Sequence, residues 1–192
     1  MQNPIQELIT RQFEEHKQTI QNSMSLPDKV AKAAELIIEA FRKGNHLYAC
    51  GNGGSTCDAM HFVEEFVGQY KNRRGAMPAH HLMDSSIMTC WSNDESYADV
   101  FRRQVEAYGK EGDVFVGIST GGNSENVLLA LHEAKRKRMK TISFLGKDGG
   151  KMKSIADVDI IVPSKTTARI QEMHILCIHS ILEAVDKEIW GV

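Results

Sequence analysis

A chain of 192 residues has the length of one domain, and 42% hydrophobic residues suffice for a core without disulfides or a structural metal. A net charge of −2 argues against a nucleic-acid binder, which would carry a basic face. The cysteines (Cys50, Cys57, Cys90, Cys177) form no CxxC pair, the start is polar and acidic, and no apolar run is long enough to span a bilayer, so a cytoplasmic protein is expected.

Apolar periodicity predicts a helix from about Pro4 to Ser23, with Ile5, Leu8, Ile9, Phe13 and Ile20 on one stripe. A second helix follows Pro27 and ends at Gly44. Short strands and helices then alternate. His46–Cys50 reads as a strand, Gly51–Gly54 as a tight loop, and the next residues as a helix to about Gly68. A weaker strand near His80–Met83 and a short helix near Ser85–Trp91 come next, then a helix over Asp94–Tyr108. Asp113–Ile118 is the clearest buried strand, followed by a loop at Ser119–Ser124 and a helix at Glu125–Lys137. Thr141–Leu145 and Val158–Val162 are strands, and Ile170 to about Ile189 is the last helix. This alternation implies an α/β fold with about five parallel strands covered on both faces. The two N-terminal helices fall outside it, and either pack on the sheet or form a subunit interface.

Cys50-Gly-Asn-Gly-Gly-Ser55 follows a strand and opens a helix, the place where α/β proteins bind ligands. It is no dinucleotide fingerprint, because Thr56 stands where the third glycine would be, and no Walker lysine follows. Gly146-Lys-Asp-Gly-Gly-Lys151 lacks P-loop spacing as well. No nucleotide cofactor is expected. Ile118-Ser-Thr-Gly-Gly-Asn-Ser124 sets three hydroxyls and two glycines before a helix N-terminus, a suitable cradle for a phosphate held by neutral donors. The competing reading is an ordinary helix with Ser124 as its cap.

Acid–base candidates lie on two helices. Asp58, His61 and Glu65 share a stripe of the helix after the first loop, suited to a metal or proton transfer, or simply an exposed polar face. The last helix carries Arg169-Ile-Gln-Glu-Met-His174 and His179 among apolar residues. Spacing does not decide whether these are satisfied core groups or site ligands.

Gly51-Asn-Gly-Gly-Ser55, DAMHFVEEF, Asn93-Asp94, Ile118-Ser-Thr-Gly-Gly-Asn-Ser124 and Arg169-Ile-Gln-Glu-Met-His174 occur together and in order. This set resembles the SIS (sugar isomerase) family, most closely its bacterial phosphoheptose isomerases, over essentially the full chain. The resemblance implies a single SIS domain over 1–192, with a helical segment at 1–43 and a flavodoxin-like αβα sandwich at 44–192. It implies a homotetramer with active sites between subunits and the N-terminal helices at the interface. The implied reaction converts sedoheptulose 7-phosphate to D-glycero-D-manno-heptose 7-phosphate, the first step toward the ADP-heptose of lipopolysaccharide.

By matching position, Glu65 is the implied base and His179 its acid–base partner, with His61, Glu65, Gln171 and His179 as zinc ligands. Ser119, Thr120 and Ser124 match the phosphate loop, and Asn52, Gly53, Ser55, Asp94 and Gln171 the other substrate contacts. Relatives that instead bind the replication initiator DnaA lack the acid–base pair, and an SIS isomerase for another sugar phosphate is a further alternative. Two departures stand out: Gly121 where the family commonly has serine, and His80 and His81 in a strand that is usually aliphatic. Gln171 and His179 are eight residues apart, about 12 Å along one straight helix. They share an ion only if Gln171 precedes that helix or the two come from different subunits.

Overall fold

The computed structural model describes residues 3–192, so Met1 and Gln2 of the expected helical segment lie outside the described residues. Five short apolar runs form the strands: β1 (Leu47–Gly51), β2 (Ala79–His81), β3 (Val114–Ser119), β4 (Lys140–Gly146) and β5 (Val158–Val162). They pair in parallel in the order β2-β1-β3-β4-β5, which bears out the expected flavodoxin-like αβα sandwich. β3 is buried at every residue, as a central parallel strand covered on both faces must be. The order reverses between β1 and β3, and this switch point opens a crevice beyond the carboxyl ends of those two strands.

Seven α-helices are described: α1 (Pro4–Asn22), α2 (Pro27–Arg42), α3 (Gly54–Val67), α4 (Ser85–Asp94), α5 (Val100–Tyr108), α6 (Glu125–Arg136) and α7 (Thr167–Trp190). One apolar cluster joins α2, α3 and α7 to one face of the sheet, with Ile37, Phe62, Phe66, Ile178 and Leu182 at its centre. A second joins α5 and α6 to the other face through Phe101, Val105, Phe115 and Leu131. α3 and α7 lie side by side and run in the same direction, since Gly54 meets Gln171 and His61 meets His179.

One expectation changes, and one of two open alternatives drops out. The helix expected over Asp94–Tyr108 is two elements: α4 runs on through Asp94, and the chain then breaks at Glu95–Ser96. The Ser96 hydroxyl accepts the Ala98 N–H at 3.1 Å and starts a 3-10 turn at Tyr97–Asp99 that leads into α5. Neither does the apolar stripe of α1 pack on the sheet. Phe13 is 75% and Ile5 66% exposed. Instead the polar side faces inward: Arg169 donates to Gln12 O at 2.9 Å, and His16 Nδ1 lies 2.7 Å from Glu172 Oε2.

His80 belongs to the short edge strand, where polar side chains limit unwanted strand pairing. Its ring stacks on Tyr48 and His46, with Nε2 3.0 Å from His46 Nδ1. His81 and His80 form one wall of a groove of about 820 Å³, whose other wall carries His61 and Glu64.

Candidate active site

The first glycine loop turns β1 into α3 at the switch point. Thr56, which breaks the dinucleotide fingerprint, donates its hydroxyl back to Gly51 O at 2.8 Å and closes this turn. A Cβ on Gly54 would overlap Gln171 Nε2, so glycine is what lets the Gln171 carboxamide lie over the start of α3. Gly53 precedes α3 without any side-chain cap, and Ser55 is buried in its first turn. Asn52 is held in a reciprocal pair with Asn126, at 2.8 and 3.0 Å, and its Oδ1 also accepts the Tyr97 hydroxyl at 2.7 Å.

The second loop turns β3 into α6. Ser124 stands at the N-cap position of α6, yet its side chain caps nothing. Its hydroxyl meets that of Ser119 at 2.9 Å, so the ordinary-cap reading fails at this residue. The uncapped helix end, the Ser119–Ser124 pair and the half-buried Thr120 make a cradle rich in neutral donors, with the positive end of a helix dipole behind it.

Two to three turns along α3, a different cluster forms. His61 Nε2 lies 3.0 Å from His179 Nε2 of α7 and 3.7 Å from Glu65 Oε1. At that separation the two rings are within hydrogen-bond distance, the direction being set by the tautomer. Glu64 Oε2 stands 3.6 Å from His61 Nδ1, and the Tyr70 ring stacks on His179. Arg74 anchors this helix pair. It donates to Glu65 O at 2.7 Å and Phe66 O at 2.9 Å, and its Nε meets Asp186 of α7 at 2.7 Å in a buried pair. The donors of His61, Glu64 and Glu65 lie within 4.8 Å of one another, and with His179 they supply the nitrogen and carboxylate ligands that zinc takes.

The stripe of Asp58, His61 and Glu65 is thus no open polar face. Asp58 is 7% exposed and its Oδ2 has no partner among the described residues. Burial pushes its carboxyl up to about 6, against the pull of His61. His174 is a core group: it is fully buried and bonds Leu145 O at 2.9 Å through Nε2.

The structure brings His61, Glu65 and His179 together, and Asn52 toward the β3 loop. It does not bring Gln171 to the histidines, because Gln171 lies inside α7 beside Gly54. Asp94 is exposed at the end of α4, with its hydrogen bonds to Asn93 and Cys90. From that segment Tyr97 reaches the switch point instead. Tyr97, Asn126, Glu64 and Arg74 went unnoticed in the sequence, since no motif marks them.

Comparison with known proteins agrees with this architecture. The SIS domain family profile matches residues 11–146. The phosphoheptose isomerase of Vibrio cholerae serotype O1 is 48% identical over 187 residues, covering 95% of this chain and 98% of that one. The structure of phosphoheptose isomerase GmhA from Neisseria gonorrhoeae superposes with a TM-score of 0.89 at 39% identity, covering 95% of this chain and 99% of that one. That of a phosphoheptose isomerase from Francisella tularensis does so with a TM-score of 0.93 at 32% identity, covering 96% and 100%. The chain therefore belongs to the SIS domain family, among its phosphoheptose isomerases.

Proposed function

We propose that this chain is the aldose–ketose isomerase that converts sedoheptulose 7-phosphate to D-glycero-D-manno-heptose 7-phosphate. The observation that carries the reading is the meeting of His61, Glu65 and His179 across α3 and α7 in a chain so similar to phosphoheptose isomerases. Glu65 takes a proton from C1 of the ketose while His179 gives one to O2, leaving an enediol. Glu65 then returns its proton to C2 and His179 takes the O1 proton, which leaves the aldehyde. The residue types suit the roles: a carboxylate for carbon, an imidazole for the two oxygens. No nucleotide cofactor enters this balance.

A zinc ion held by His61, Glu65 and His179 would polarise the substrate carbonyl when bound. Ser119, Thr120 and Ser124 hold the phosphate, while Asn52, Gly53, Ser55, Asp94 and Gln171 are read as further substrate contacts. Binding energy from the phosphate orients the reacting carbons.

We read the assembly as a homotetramer with shared sites, and two observations support it. Glu65 lies eleven residues beyond Gly54 on α3, about 16 Å along the helix, so one chain's proton-transfer pair stands well away from its own phosphate cradle. A second copy can bring the two together, and can supply Gln171 to the histidine cluster. The outward apolar stripe of α1 is the kind of surface such contacts cover. We further read residues 1–192 as a single domain, because α2 of the helical segment packs into the same core as α3 and α7. A cytoplasmic location fits a chain in which no described helix is long and apolar enough to cross a membrane.

The test is proton exchange by NMR. Incubated with sedoheptulose 7-phosphate in deuterated water, the protein should incorporate deuterium at C1/C2 and form an aldoheptose, with and without added zinc setting the metal dependence. Glu65→Gln should lose both. Exchange on another sugar phosphate alone would move the substrate assignment, and exchange that persists in Glu65→Gln would remove that residue as the base.

A further inference from the structure

We infer that Lys147, at the carboxyl end of β4, is the cation that recognises the substrate phosphate together with Ser119, Thr120 and Ser124. The inference rests on the isomerase reading and assigns the charge recognition in that same site. A phosphate monoester carries about 1.5–2 negative charges at pH 7. The loop after β3 contains no basic residue, and neutral donors orient an anion without neutralising it.

The glycine run after β4, which lacks P-loop spacing, is built onto this loop. The Met152 N–H donates to Gly122 O at 3.0 Å, and the Lys151 N–H to Asn123 Oδ1 at 3.1 Å. Asn123 in turn donates to Gly121 O at 2.7 Å. A Cβ on Gly122, whose φ is +63°, would collide with Gly149 O, so the two loops approach this closely only as glycine against glycine.

That docking sets Lys147 beside the phosphate loop. Its N–H donates to Ser164 O at 3.1 Å, which fixes where the side chain starts. Its Nζ lies 4.0 Å from the point where a Cβ of Gly121 would stand, and no other group comes as near. Among the described residues no carboxylate is within ion-pair distance of this ammonium. Neighbouring Asp148 accepts the Gly150 N–H at 3.2 Å instead. Gly121 therefore leaves open the space between a free ammonium and the donor loop.

The experiment compares Lys147→Gln and Lys147→Arg with the wild type. It reads kcat and KM for sedoheptulose 7-phosphate, and the affinity for inorganic phosphate by calorimetry. Lys147→Gln should raise KM and weaken phosphate binding in parallel, by about 10–100-fold, with kcat within about threefold. Lys147→Arg, which keeps the charge, should recover most of the loss. Melting temperatures should not change, since the side chain is exposed. Unchanged KM and phosphate affinity in Lys147→Gln would overturn the inference while leaving the isomerase reading intact. If the wild type fails to turn over this heptulose, the isomerase reading falls, and loss of phosphate binding in Lys147→Gln still supports the lysine's role. A wild type that binds no phosphate overturns the inference, while the isomerase reading stands or falls on turnover.

Discussion

His61 and His179 face each other nitrogen to nitrogen at 3.0 Å across the seam between α3 and α7, with Glu65 Oε1 3.7 Å from the same His61 nitrogen. Two imidazoles and a carboxylate gathered around His61 are of the ligand types that zinc takes. His61→Ala and His179→Ala should each weaken zinc affinity by more than about tenfold, the loss that removing even a supporting partner produces. Competition with a chromophoric chelator measures this. His179→Ala should also lose turnover by roughly 10²–10⁴-fold, whereas zinc affinity unchanged in both variants would take the metal away from this cluster.

Gln171 lies over Gly54 so closely that a methyl group there displaces it. Because the carboxamide is the free end of a flexible side chain, the fold should tolerate Gly54→Ala. If the Gln171 carboxamide contacts substrate, Gly54→Ala and Gln171→Ala should each lower kcat/KM by about tenfold. The double variant should then be no worse than either single one, the non-additivity expected of residues that act through one contact. Additive losses would mean that Gly54 matters for a different reason.

The strands and both loops were legible because apolar runs end in glycine and hydroxyl clusters, and the period changes from strand to helix at each. What escaped depends on neighbours far along the chain. Tyr97 reaches Asn52 from 45 residues away, Asn126 from 74, and Arg74 meets Asp186 across 112. Periodicity announced the apolar stripe of α1 but not its direction, since a pattern states that a face is apolar and not what covers it. The helical rise did correctly separate Gln171 from His179, and both lie inside α7.

Arg74 ties the carbonyl of Glu65 to α7 through Asp186, and both side chains of that pair are almost wholly buried. Arg74→Met would leave the Asp186 carboxylate buried without its partner, which costs about 3–5 kcal/mol. Urea denaturation should show that loss. Arg74→Lys should not recover it, because an ammonium cannot reproduce the guanidinium fork that bonds three carbonyls (Glu65, Phe66 and Gly75) and a carboxylate at once. A loss below about 1 kcal/mol would mean that the pair contributes little to holding α3 on α7.

His174 sets a pH dependence whose sign follows from its surroundings. It is fully buried and bonds Leu145 O through Nε2, and burial pushes its pKa down to about 4 from 6.5. Between those values the unfolded chain binds a proton that the native state refuses. Stability from this residue is therefore complete above about pH 6.5 and is lost as pH falls toward 4, with a flat region below. The shift corresponds to about 3 kcal/mol. His174→Gln can keep the hydrogen bond to Leu145 without a titrating ring. Its loss of unfolding free energy between pH 7 and pH 4.5 should be smaller than that of the wild type by about 2–3 kcal/mol. Equal losses in the two proteins would assign the acid sensitivity to other groups.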